Sequence, residues 1–188
     1  MAHVLILCST TDGHTLAIGR RLQAVVENGG HRVTLRSLHD DADIDLAPFD
    51  VVVLGARIRY GRHHPLVERF AARRRTALDA RPSAFFTVNA VARKPQKAGP
   101  DTNPYLRRFL ARSPWRPQAL AAFAGRIDYP RCRWRDRQVI RFIMWLTGGP
   151  TDPRGTFEFT DWTAVEAFGR QLAEMAGGAR RGKPRGAG

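Results

Sequence analysis

A chain of 188 residues, 43% apolar and 26% charged, has the size and composition of one globular domain and excludes a disordered polymer. No apolar run approaches the roughly 20 residues that cross a bilayer, and strand-like sequence begins at His3, which gives the expectation that no targeting peptide precedes the domain. Thirty-one basic residues, 28 of them arginine, against seventeen acidic ones leave a net charge of +14, a surface that attracts anions and is repelled by basic redox partners.

The first run, residues 4–8, is apolar throughout, as in a strand buried on both faces. Cys8 ends that run and reads as a small buried hydrophobe. Cys132 lies far away in no metal-ligand spacing, which suits a reducing, cytoplasmic setting. After a polar loop at residues 9–15, Ile18, Leu22, Val25 and Val26 mark one face of a helix that stops at Gly29-Gly30. Strand patterns return at residues 32–36 and 51–55. A helix opens at Pro65 and carries Val67, Phe70, Ala71 and Leu78. A fourth strand at residues 84–88 leads into Asn89, and a helix over roughly residues 102–112 stacks Tyr105, Leu106, Phe109 and Leu110. A fifth strand starts at residues 119–124 and is expected to continue at 156–159, interrupted by a basic, aromatic insert at about 125–155. Asp161 then caps a last helix with Val165, Phe168 and Leu172 inward. Residues 177–188, rich in Gly, Ala and Arg, read as a disordered basic tail after a domain spanning 1–176.

Alternating strands and helices predict an α/β fold with a doubly wound, five-stranded parallel sheet. Ligands of such sheets bind beyond the carboxyl ends of the strands, so the loops after the first, third and fourth strands should form the site. The first loop comprises Ser9, Thr10, Thr11, Asp12, Gly13, His14 and Thr15. Its backbone amides, the positive end of the following helix and four hydroxyls suit a phosphate, and Gly13 permits close approach. It lacks the Gly-Lys-Ser/Thr ending of a triphosphate loop and the spaced glycines of a dinucleotide fingerprint. Hydroxyls without a lysine are what flavin mononucleotide (FMN) sites in flavodoxin-type proteins use. The second loop, Ala56, Arg57, Ile58, Arg59, Tyr60 and Gly61 after Gly55, offers small residues as room for a flat ring and Tyr60 to stack on it. The third runs from Asn89, Ala90, Val91, Ala92 and Arg93 to Lys94 and Lys97, and could hold the ring edge or a carboxylate.

Together these segments closely resemble the flavodoxin-like, menaquinone-dependent protoporphyrinogen IX dehydrogenases. The matching stretches are Thr11-Asp12-Gly13 with Thr15, Ile58-Arg59-Tyr60-Gly61, Val91-Ala92-Arg93-Lys94-Pro95, Thr102-Asn103, Trp115-Arg116-Pro117, Tyr129-Pro130-Arg131, Arg133-Trp134, Gly148-Gly149 and Thr160-Asp161-Trp162. The resemblance implies an enzyme of haem synthesis that oxidises protoporphyrinogen IX to protoporphyrin IX in two-electron steps. One FMN would pass the electrons to a membrane quinone, menaquinone or ubiquinone. Residues 9–15 would take the FMN phosphate, and residues 56–61 and 89–93 would flank the isoalloxazine. Arg59, Arg93, Lys94 and Lys97 are candidates for pairing the substrate propionates. No acid/base pair announces itself, so the sequence names no catalytic residue. Two positions depart from the family pattern, which has a basic residue where Thr11 stands and a small polar one where Arg57 stands. Arg57 beside the ring would raise the flavin potential, and an Arg57→Ser titration should then show a drop.

Within residues 126–141, six Arg and two Asp give +4, and residues 139–146 hold seven apolar side chains with only Arg141 among them. Trp134, Phe142 and Trp145 are residue types that settle at a lipid interface, and the segment is too short to span. We expect peripheral association with the anionic inner face of the cell membrane. Packing on the sheet or a homo-oligomer contact is the alternative for the same helix. His63-His64 has no clear third ligand, so no metal is expected. A general quinone reductase or an electron-carrying flavodoxin keeps the fold and changes the task. A nucleic-acid-binding module is disfavoured because the arginines are dispersed and no such motif appears.

Overall fold

The computed structural model describes residues 1–10, 13–146 and 148–181. Five parallel strands form the central sheet in the order β2-β1-β3-β5-β6, where β1 is His3–Ser9, β2 Arg32–Ser37, β3 Val51–Arg59, β5 Ser83–Val88 and β6 Ala119–Phe123. A two-residue strand β4, Arg62–His63, folds back antiparallel on the end of β3. The apolar strand runs follow from burial on both faces. Val4, Ile6 and Cys8 of β1 point into one core layer with Ile18, Leu22, Val165 and Phe168, whereas Leu5 and Leu7 point into another with Phe70, Phe85, Phe109 and Trp115. Helix α1 (His14–Asn28) and helix α6 (Trp162–Arg181) cover the first face. On the second lie α2 (Pro65–Arg73), α3 (Arg75–Asp79) and α4 (Pro104–Arg112).

Strand register decides where the loops meet. Ser9 lies opposite Ala56, and Ala56 opposite Thr87, so β1, β3 and β5 end side by side. Gly55 is required by that packing. A Cβ there would sit 2.1 Å from Cζ of the fully buried Phe86. Its role is to admit the Phe86 ring rather than to leave room for a ligand, as the sequence had suggested.

Two expectations change. Thr156–Glu158 (β8) does not continue β6. It pairs antiparallel with Arg126–Asp128 (β7) in a separate two-stranded sheet, and the helix α5 (Trp134–Leu146) lies between them in sequence. The alternating Thr-Phe-Glu-Phe pattern fits either pairing, and only the tertiary arrangement chooses. The last helix also runs through Gly177 and Gly178 to Arg181, past the boundary placed at residue 177. Met175 and Ala179 pack against the first core layer, which extends the helix beyond its glycines. Residues 182–188 of the expected tail lie outside the described residues.

Candidate functional site

Helix α1 begins at His14 behind an N-cap, Gly13, whose φ of 81° lies in the left-handed region. Among the described residues no side chain caps it, and its first turn holds no acidic residue, so the helix end favours negative charge. The Thr15 hydroxyl is buried beside them with no hydrogen-bond partner among the described residues. Leaving a buried hydroxyl unpaired costs about 1–3 kcal/mol; an anion seated at the helix end would satisfy it. Ser9 Oγ lies 3.2 Å from His39 Nε2, and Thr10 Oγ1 accepts from Gly13 N at 3.0 Å. His14 has a second task. Its Nε2 meets Thr160 Oγ1 at 2.8 Å, and that hydroxyl donates to Ala124 O, so the imidazole donates and ties α1 to the approach of α6. Glu158 stands 3.5 Å away. Thr11 and Asp12 lie outside the described residues.

The second loop is a tight hairpin between β3 and β4. Its two central residues, Tyr60 and Gly61, both have positive φ, at 49° and 74°. Such a turn matches the twist of the flanking strands, but a tyrosine there is strained by order 1 kcal/mol or more. The strain is held by Asp136 of α5. One carboxylate oxygen accepts the Tyr60 hydroxyl and the other accepts Arg59 Nη2 at 2.6 Å. The Arg59 guanidinium also lies 5.1 Å from the Tyr60 ring centre. The Tyr60 hydroxyl, then Arg59, hold the Asp136 carboxyl below the usual range, and the same contacts raise Arg59. Arg59, expected as a propionate ligand, is thus engaged by the insert. The Tyr60 ring itself is exposed. Ala56 is fully buried in the second core layer. Arg57 and Ile58, with partial exposure, lead from it to the turn.

The third loop forms two short 3-10 turns, Ala90–Arg93 and Pro95–Lys97. Asn89 is buried and its side chain accepts from Ala92 N at 3.0 Å. Asn103 Nδ2 reaches Asn89 Oδ1 at 3.3 Å and Lys97 O at 2.9 Å, while its own Oδ1 caps α4 through Tyr105 N and Leu106 N. The Asn89–Asn103 pair fixes this loop to α4, so the Asn89 side chain is largely structural. Ala92 is buried, Arg93 Nη1 donates to Ala90 O at 2.9 Å, and Lys94 and Lys97 border the turns, Lys97 exposed. Val91 is partly exposed.

Helix α5 closes over this region. Ile140 and Met144 pack with Ile127, Tyr129, Phe157 and Ala90, and the Tyr129 hydroxyl donates to Pro150 O at 2.7 Å. Arg137, at helical spacing from Ile140 and Met144, has a buried Nε with no partner among the described residues. On the other side of α5, Trp134, Val139, Phe142, Ile143, Trp145 and Leu146 are all exposed. Asp136, Asn103 and Thr160 carried no role in the sequence reading. Their partners lie 77, 14 and 146 residues away, and motif neighbourhood was the only signal available.

The paired histidines diverge. His63 is buried, bonds Thr87 Oγ1 at 2.9 Å and has its pKa pushed down to about 4 by burial. His64 Nδ1 accepts from Leu66 N at the start of α2. Among the described residues no group of three or more His, Cys, Asp or Glu is placed to hold a metal. Cys8 is fully buried, and burial raises its thiol to about 12, so it is unreactive in the folded chain.

Residues 5–154 match the family profile described as "Flavodoxin domain". The chain is 43% identical to "Protoporphyrinogen IX dehydrogenase [quinone]" of Escherichia coli (strain K12) over 171 residues, 91% of this chain and 94% of that one. It is 40% identical to a protein of the same name from Leishmania major, over 91% of this chain and 74% of the other. Among solved structures, a short-chain flavodoxin associated with a bacterial microcompartment aligns with 94% of this chain and 99% of its own at a TM-score of 0.54. At 12% identity that likeness concerns the fold alone.

Proposed function

The chain belongs to the flavodoxin-domain family of quinone-dependent protoporphyrinogen IX dehydrogenases, and from that premise we propose that it oxidises protoporphyrinogen IX to protoporphyrin IX with a quinone as electron acceptor. We assign FMN as its cofactor. The observation that carries the assignment is the buried Thr15 hydroxyl at the start of α1, which has no hydrogen-bond partner among the described residues. A dianionic phosphate would supply an acceptor for this hydroxyl, and the helix end favours its charge. When bound, FMN supplies two-electron redox chemistry between porphyrinogen and quinone.

The protein's own residues bind, orient and exclude water. Residues 9–15 would hold the phosphate. Arg57, Ile58, Tyr60 and Gly61, with the backbone of Ala56, would border one side of the isoalloxazine, and residues 89–93 the other. The Asp136 contacts to Arg59 and Tyr60 fix the first wall, and the Asn89–Asn103 pair fixes the second. Arg93, Lys94 and Lys97 add positive charge where an anionic substrate approaches.

We also infer peripheral membrane attachment through α5. No helix among the described residues is long and apolar enough to cross a membrane. Six exposed apolar side chains on one short helix, beside Arg131, Arg133 and Arg135, fit the headgroup region of an anionic bilayer. A quinone dissolved in that bilayer would then lie close to the redox site.

The test is anaerobic turnover of protoporphyrinogen IX by FMN-loaded protein with a menaquinone analogue. Porphyrin formation that needs both FMN and quinone is expected. Quinone reduction from other donors without porphyrin formation would point instead to a general quinone reductase.

A further inference from the structure

A cavity of about 410 Å³ opens between the tip of the β3–β4 hairpin and helix α4. It shares Ile58, Tyr60 and Gly61 with the wall assigned above to the flavin ring. Arg62, Arg108 and Arg112 line it, with Tyr105 and Phe109 as apolar walls and Glu68 as the one acid. Arg108 Nη1 donates to Gly61 O at 3.2 Å, so one guanidinium braces the hairpin. Three arginines against one glutamate leave a local charge of +2.

We propose that this cavity is the carboxylate subsite of the enzyme, taking the propionates that project from one edge of the porphyrinogen. The inference rests on the activity proposed above and adds the residues that orient the substrate. The chemistry fits in three respects. Guanidinium groups bind carboxylates by two parallel charge-assisted hydrogen bonds, which fixes the plane of the bound group. Aromatic walls accept the apolar stems and rim of a large flat ligand. The position is also appropriate, because Tyr60 and Gly61 border both regions, so carboxylates anchored here leave the macrocycle beside the hairpin tip. Arg59, an obvious alternative, is occupied by Asp136. Arg62 and Arg112 on the cavity wall carry the recognition, and Glu68 sets a ceiling on affinity.

The prediction is signed in two directions. The FMN-loaded double variant Arg62→Gln/Arg112→Gln should raise the KM for protoporphyrinogen IX about tenfold or more, with unchanged FMN affinity. Glu68→Gln should lower it. Binding of protoporphyrin IX and of its dimethyl ester, followed by fluorescence, isolates the carboxylates. Wild-type protein should prefer the free acid about tenfold, and the double variant should lose that preference. Wild-type protein that binds acid and ester alike, or a double variant that keeps the preference, overturns the subsite. Failure of the wild-type protein to oxidise porphyrinogen at all would overturn the activity beneath it, a result separable from the first two.

Discussion

At the scale of single residues, burial decides what each side chain can do. His63 is held neutral between Phe85 and Phe109, with its Nε2 on Thr87 and its pKa at about 4 against an ordinary 6.5. The unfolded chain takes up a proton below pH 6.5 that the folded chain refuses until about pH 4. Stability from this residue is therefore complete above 6.5 and falls as pH drops from 6.5 toward 4, by at most about 3 kcal/mol. Urea unfolding at pH 7 and pH 5 should show a smaller loss for His63→Gln than for the parent protein. An equal loss would mean that other groups dominate. Gly55 gives a second test. With the fully buried Phe86 ring 2.1 Å from an added Cβ, Gly55→Ala should cost about 1–3 kcal/mol, read as a lowered unfolding midpoint. The sequence placed Gly55 at the head of a plausible loop but could not show Phe86 reaching it from the neighbouring strand. Cys8 illustrates the opposite case, since its place in an apolar run was enough to reveal an inert core thiol.

At the scale of elements, the parallel strands and the helices α1, α2, α4 and α6 were legible because their signals are local. Apolar runs marked the doubly buried strands, Pro65 the start of α2, and Asp161 the cap of α6, where its carboxylate accepts Ala164 N at 3.0 Å. The insert was legible only in composition. Its pairing of β7 with β8, and the reach of Asp136 to Arg59 and Tyr60, depend on contacts between segments far apart in the chain. That arrangement gives α5 two faces with separable roles. Replacing Phe142 and Trp145 together by Glu should abolish binding to anionic vesicles in a sedimentation assay and leave FMN affinity unchanged, because both side chains are exposed and face away from the ring loops. Retained vesicle binding would contradict the attachment. Asp136→Ala acts on the inner face. It releases the strained Tyr60 turn, and the expected readout is weaker FMN binding, by a few-fold to about tenfold, as the ring wall loosens. Unchanged FMN affinity would reduce the Asp136 contacts to surface pairing.

At the scale of the molecule, one sheet gathers three loops at its carboxyl edge and the insert adds a roof on one side of them. The +14 charge, read first as an affinity for anions, would have separate uses under the proposals made above: a phosphate at α1, carboxylates beside α4 and lipid headgroups under α5. Each would involve a different set of groups, so salt should weaken vesicle binding more steeply than FMN binding, where the buried Thr15 hydroxyl is screened less than exposed charge. The phosphate site proposed at the start of α1 holds a dianion without a lysine. It is tested most directly by titrating protein freed of flavin with FMN and with riboflavin, for the parent and for Thr15→Val. Much tighter binding of FMN than of riboflavin is expected, with a loss of about 10- to 100-fold for FMN alone in Thr15→Val. Equal affinity of the parent protein for the two flavins would contradict it.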